Sequence, residues 1–264
     1  ADSWMFVTSA VMGYQAADAN ANLAAFSGAN QQVKAGTDLI IINRGLPNDR
    51  TRVTGHNKSA AAQFKLTENA SYRKGDILMM VSPTCDMAAI FQLTGPAATS
   101  SNVYTHGVSG GVSPGNCSLN LSFGGDCASA PTSNNLGRAF PDGSMVMGFS
   151  SAAYFIRDSQ ITGEPTLYRQ VRTRTSGALQ SQELLTGVDD MDILYGYNPA
   201  GSGSPERFYP ANLVPDWSGV VSVRIQLTLV SKRAVFAPDA TANPPQDGKL
   251  RKQVMISGSI RNRG

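Results

Sequence analysis

Glu183-Leu-Leu-Thr-Gly-Val-Asp-Asp-Met-Asp-Ile-Leu-Tyr-Gly-Tyr197 contains a change of hydrophobic period. Over residues 183–188, Leu184, Leu185 and Val188 fall at helical spacing, which predicts a short turn of helix. From Met191 the pattern alternates. Side chains of a strand repeat every two residues, so Met191, Ile193, Tyr195 and Tyr197 would share one face of an extended chain. Gly187 and the pair Asp189-Asp190 stand where the period changes, as a turn requires. The chain before this stretch reads as strands leading to it, and the chain after it as the sheet that receives it.

Working outward, the alternation is clearest in Val221-Ser-Val-Arg-Ile-Gln-Leu-Thr-Leu229. Its apolar residues take every second position, and Ser222, Arg224, Gln226 and Thr228 fill the other face. One buried and one wet face is the mark of an antiparallel sheet. Gln253–Ile260 reads as the last strand. Upstream, strands are expected at Thr37–Asn43, Ala62–Leu66, Ile77–Ser82, Ala88–Thr94 and Met145–Asp158. Gly163-Glu-Pro165 turns the last of these toward Thr166–Val171. Pro47–Arg50 reads as a turn. Residues 95–143 are long, polar and rich in Gly, Pro, Ser and Asn, and read as a mobile loop. Trp4, Val7, Val11 and Tyr14 sit at helical spacing and read as the remnant of an N-terminal helix. Residues 15–36 read as an irregular connection. The expected fold class is α+β, a single domain over 1–264. It has a helix remnant and connection over 1–35 and a β-rich body over 36–264.

Composition narrows the function. The chain has 264 residues, enough to bury a sizeable core. Only 16% are charged, and the net charge of +3 is too small and dispersed to argue for nucleic acid. The balance is that of a loop-rich β protein working outside the cytosol. No apolar run approaches the ~20 residues that cross a bilayer, and no signal peptide is present. Because residue 1 is Ala, the sequence is expected to be processed or trimmed, with any membrane segment before it.

The cysteines are Cys85, Cys117 and Cys127. Cys117 and Cys127 flank a Gly- and Ser-rich loop. A disulfide across ~10 residues would stabilise by roughly 2–3 kcal/mol. Free thiols and a metal site are the alternatives, and Cys85 is the competing partner for Cys117. A disulfide favours an oxidising compartment.

Several motifs have bland readings that outweigh their functional ones. Asp189, Asp190 and Asp192 could offer carboxylates to calcium, but the central Gly and distal Glu of a calcium loop are missing. Gly107–Gly115 is Gly-rich without the strand, helix and Lys of a phosphate cradle. His56 and His106 could act as general bases, yet no Ser or Cys sits in a nucleophile elbow. The sequons at Asn57, Asn69, Asn116 and Asn120 would carry glycans only in a eukaryotic secreted protein. No catalytic, cofactor-binding or metal-binding residues are expected, and no enzyme activity.

The order of features resembles the PilW family of type IV pilus minor pilins. The resemblance rests on several stretches: Gly36-Thr-Asp-Leu-Ile-Ile-Ile42; Gly75-Asp-Ile-Leu-Met-Met-Val-Ser82; Cys85; Ala89-Ile-Phe-Gln-Leu-Thr94; Tyr154-Phe-Ile156; and Gly163-Glu-Pro-Thr-Leu-Tyr-Arg169. It continues through Leu184–Tyr197, Trp217 with Val221–Leu229, and Ile260-Arg-Asn-Arg263. The family's processed N-terminus is not in this sequence, and residues 95–143 match no family motif.

The resemblance implies a pilin-like head: the helix remnant packed on antiparallel sheets, with long polar loops. It implies a structural minor pilin that helps prime the type IV pilus and sits at its tip. The partners would be other minor pilins, the major pilin and a large tip adhesin. The location would be the bacterial cell surface, with an inner-membrane-anchored periplasmic pool before assembly. A minor pseudopilin of type II secretion, a free-standing extracellular adhesin or ligand-binding module, and a secreted hydrolase relying on His56 or His106 are the rival readings. Exposed sheet edges in such a head suit strand addition.

Overall fold

The computed structural model describes residues 9–27, 32–57, 62–68, 70–96, 102–108, 111–121, 137–172, 179–201, 203–241 and 247–260. At 25, 27 and 47–49 only the backbone is described. The described residues are mostly antiparallel strand with one α-helix. This overturns the α+β, pilin-like arrangement with a packed N-terminal helix remnant. The chain divides into two compact units, 8–42, 152–170 and 181–264 in one, and 1–7, 43–151 and 171–180 in the other.

In the first of these units, residues expected to be helical form strand β1 (Val11–Tyr14). β1 pairs antiparallel with the start of β2 (Leu39–Asn57), in the register Val11↔Ile42 to Tyr14↔Leu39. The backbone of the run Leu39–Ile42 needs ladder partners, and residues 11–14 supply them, which overrides their helical spacing. Burial along β1 alternates, as a strand requires.

The one α-helix among the described residues, α1 (Ala16–Ser27), lies in what reads as an irregular connection. It is rich in Ala, the best helix former. Ala19 and Leu23, one turn apart, are fully buried, with Phe26 beside them.

The second half of β7 (Met145–Asp158) and most of β8 (Pro165–Arg172) complete the middle layer of this unit. Successive residues point to opposite faces. Leu39, Ile41, Ala153, Phe155 and Tyr168 pack with α1. Ile40, Ile42, Tyr154, Ile156 and Leu167 instead join the core beneath a second sheet. Leu39–Ile42 is uniformly apolar because both of its faces are covered.

That second sheet has the order β11-β10-β12-β13, all antiparallel. Its strands are β10 (Val188–Tyr197), β11 (Arg207–Tyr209), β12 (Val220–Ala234) and β13 (Lys249–Ser259). Met191, Ile193 and Tyr195 are buried on one face of β10, as their alternation predicts. The predicted turn at Gly187 is present, with φ of +80°, where glycine is favoured. The helical turn before it is not. Residues 179–186 are strand β9, on which Leu184 and Leu185 are exposed.

In the other unit the strand order is β5-β4-β7-β2-β3-β6. Here β3 is Gln63–Leu66, β4 Ile77–Val81, β5 Ala88–Gln92 and β6 Val103–Thr105. The core gathers Phe64, Phe91, Tyr72, Tyr104 and Phe140 with Leu78 and Met80. The expected turn at Pro47–Arg50 lies within β2, which continues without a break from Leu39 to Asn57.

Inside the stretch read as a loop over 95–143, β6 pairs with β3, and Asn116 anchors the chain. The Gln92 amide N–H donates to Asn116 Oδ1 at 2.7 Å, and Asn116 Nδ2 donates back to the Gln92 carbonyl at 2.6 Å. Asn116 is buried, in the role of a structural amide. Residues 97–101, 109–110 and 122–136 of that stretch lie outside the described residues.

Candidate functional site

The three acids singled out in β10 have separate duties. Lys34 Nζ donates to the Asp189 carbonyl oxygen at 2.7 Å and also pairs with its carboxylate. Arg251 Nε reaches Asp189 Oδ2 at 3.4 Å. Burial acts to raise the Asp189 pKa, but these cations prevail and hold it below the ordinary carboxylate value. Asp190 Oδ1 accepts from the Met191 amide at 2.8 Å. Asp192 is exposed. Among the described residues no group of three or more His, Cys, Asp or Glu side chains converges to hold a metal ion.

A fourth acid, which sequence reasoning passed over, lies against this strand. Asp38 is buried, and the Asp38 amide donates to the Met191 carbonyl at 3.0 Å. The Ile193 amide donates to Asp38 Oδ2 at 2.9 Å. Asp38 therefore clamps the middle of β10 from both of its ends. Burial raises its pKa to about 6, despite the bond from Ile193, and the negative charge of Asp192 adds to the rise. Nothing in the sequence pattern marks the contact, because 155 positions separate the partners.

The histidines considered as general bases come together in the other unit. The Phe140 amide donates to His56 Nδ1 at 3.0 Å, and His56 Nε2 lies 3.2 Å from His106 Nε2. An acceptor role at Nδ1 puts the His56 proton on Nε2, which then donates to His106. The His106 proton is left on Nδ1, which is buried and has no hydrogen-bond partner among the described residues. His106 is fully buried among Phe64 and Phe91. Burial, with His56 adding, lowers the His106 pKa to about 3. Both ring nitrogens of His56 are engaged and His106 is out of reach of solvent, so this pair is built as a structural bridge.

Cys85 is a free, exposed thiol. It has a φ of +57° in the turn between β4 and β5. Beside it Asp86 accepts from Ser82 and Thr84 and pairs with Arg138 at 2.8 Å. The bond from Ser82, with those from Thr84 and Arg138, pulls the Asp86 pKa down. Cys127 lies outside the described residues.

What remains is surface. The four-stranded sheet turns Arg224, Gln226 and Thr228 of β12 toward the same side as Leu194 and Asp192 of β10 and Met255 of β13. Arg224 lies over the Phe208 ring at 4.1 Å. β13 closes one edge of the sheet and is exposed along almost its whole length. The sheet thus has a packed core on one side and a mixed polar and apolar face on the other, and among the described residues β13 has a strand on one side alone.

Residues 153–257 match the model of the family PilW, described as Type IV Pilus-assembly protein W. The match covers less than half of the chain, and over those residues the chain is similar to that family. The matched residues run from within β7 into β13, and so contain all of β8 to β12 and all but the last two residues of β13. The match supports a part for the chain in type IV pilus assembly, among other pilus components at the cell envelope. No curated protein matches the chain. Among the described residues no helix is long and apolar enough to cross a membrane.

Proposed function

We propose that this chain is a structural minor pilin that assembles with other minor pilins into the complex priming the type IV pilus and sits at the pilus tip. The observation that carries the reading is the PilW match over 153–257, which coincides with the sheet best placed to bind. The layered core beneath that sheet supports a scaffolding role, since rigid elements hold a binding surface more precisely than loops do. Its partners would be other minor pilins, the major pilin and a tip adhesin, and its work would be binding.

The test is a pull-down of this domain against the soluble domains of the other minor pilins and the tip adhesin from the same genome, followed by size exclusion. A stoichiometric complex is the expected result. Absence of binding to every candidate, singly and in mixture, overturns the reading in favour of a free-standing extracellular module. A complex with type II secretion pseudopilins instead would move the chain to that machinery.

A further inference from the structure

We infer that β13 is a docking edge that accepts an acidic, extended segment of another protein as a fifth strand of the β11-β10-β12-β13 sheet. Among the described residues β13 pairs with β12 alone, so every second backbone N–H and C=O along it points away from the sheet. Proteins normally guard such an edge with charge, proline, a bulge or very short length. The middle of β13 has none of these. Its register with β12 is continuous from Ser222↔Ser259 to Val230↔Arg251. Gln253, Val254, Met255, Ile256 and Ser257 carry no charge.

The apolar residues there are uncovered on both faces: Met255 is 60% exposed and Ile256 52%. Ile256 lies opposite Ile225 and Val254 opposite Leu227, on the side where the core of the sheet lies. An added strand with apolar residues at alternate positions would extend that core over Ile256 while its backbone completes the ladder.

Charge selects the partner. The end of the hairpin beside this edge carries Lys232, Arg233, Lys249, Arg251 and Lys252. Lys249 and Arg251 have carboxylate partners, whereas Lys232, Arg233 and Lys252 are exposed. A second copy of this chain would bring the same cations to the edge. An acidic strand would meet them favourably, and the attraction would weaken with salt.

The inference stands apart from the pilus reading, and its test uses no pilus component. The probe is a fluorescein-labelled nine-residue peptide with valine at alternate positions and glutamate between them, with a lysine-for-glutamate twin as control. Fluorescence anisotropy should show saturable binding of the acidic peptide, at least about ten-fold tighter than its twin and weaker at high salt. Amide hydrogen exchange should slow at residues 253–257 on binding. The double variant Met255→Lys/Ile256→Lys, at exposed positions, should keep its thermal melt and lose the peptide.

Equal binding by the twin or by the variant, or no new protection on β13, overturns the inference. So does concentration-dependent dimerisation that the double variant abolishes, which would assign the edge to a second copy. Binding to phosphatidylglycerol vesicles without binding to the peptide would assign it to a membrane surface and equally overturn it.

Discussion

His56 donates through Nε2 to His106 Nε2 across 3.2 Å, and the Phe140 amide, donating to His56 Nδ1, fixes the direction of that bond. Burial lowers the pKa of both rings, that of His106 to about 3 from an ordinary value of 6.5. Protonating His56 would force a donor against the Phe140 N–H. Below pH 6.5 the unfolded chain therefore binds protons that the folded chain refuses. The contribution of the pair is fully present above about pH 6.5 and is lost as pH falls toward 3. His106 alone should cost up to about 1.4 kcal/mol per pH unit across that window. Denaturant melts at pH 7.5 and 4.5 should show the drop. Imidazole nitrogen shifts should report His56 protonated on Nε2 and His106 on Nδ1 throughout the folded range. A His106 that titrates near 6.5 in the native state would refute the assignment.

Asp38 works in the opposite direction. Its folded pKa, about 6, lies above its unfolded value of 3.8. The folded state thus holds a proton that the unfolded state gives up between those values. Stability linked to Asp38 is full below about pH 4 and declines as pH rises through 6. Asp38→Asn keeps an oxygen to accept from Ile193 and removes the buried charge. The variant should gain on wild type as pH rises from 4 to 8, by on the order of 2–3 kcal/mol. Chemical denaturation at the two pH values measures it. A stability difference that does not change with pH would mean that Asp38 is not titrating in the fold.

Gly13 meets Tyr195 at a distance that leaves no room for a side chain. A Cβ on Gly13 would fall 1.8 Å from Tyr195 Oη. Tyr195 is fully buried, so it cannot swing into solvent. Gly13→Ala should destabilise by roughly 1–3 kcal/mol, as overpacking does. Tyr195 Oη is itself buried and has no hydrogen-bond partner among the described residues. Tyr195→Phe should therefore be neutral or stabilising by about 1 kcal/mol, since it removes an unsatisfied hydroxyl and keeps the ring. Thermal melts of the two variants separate the effects. A Tyr195→Phe variant that is clearly destabilised would show that the hydroxyl is bonded.

The same pair shows what sequence reading reaches here. Met191–Tyr195 was legible because one face is buried and the other exposed, and Val221–Leu229 because its apolar residues turn toward the core at every second position. β1 was not legible. Four residues are too few for a period to register, and its pairing with Leu39–Ile42 is set by the needs of a distant strand. α1 had a weak signal in Ala19, Leu23 and Phe26 at helical spacing, masked by polar neighbours. The Asp38–Ile193 clamp and the Gln92–Asn116 exchange are long-range bonds between unremarkable residues, and no local pattern encodes them. The exposed edge at β13 was hidden for a related reason. Val254 and Ile256 look like core residues in the sequence, but among the described residues no strand pairs with β13 on its outer side, and Ile256 is 52% exposed.

Cys85 supports a pairing for the other two cysteines. It is free and exposed, which leaves Cys117 and Cys127 as the partners we propose. Native protein should then expose one thiol to a chromogenic disulfide reagent. Peptide mapping without reduction should recover Cys117 and Cys127 in one linked fragment, two mass units below the reduced sum. Replacing Cys85 sharpens the test, because its φ of +57° belongs to the region where a side chain costs free energy. Cys85→Gly should stabilise by about 1 kcal/mol and leave no reactive thiol. Reduction should lower the unfolding free energy of both the wild type and this variant by the roughly 2–3 kcal/mol that closing so short a loop contributes. Two or three reactive thiols in the native protein would exclude the bond. A linked fragment containing Cys85 would reassign it.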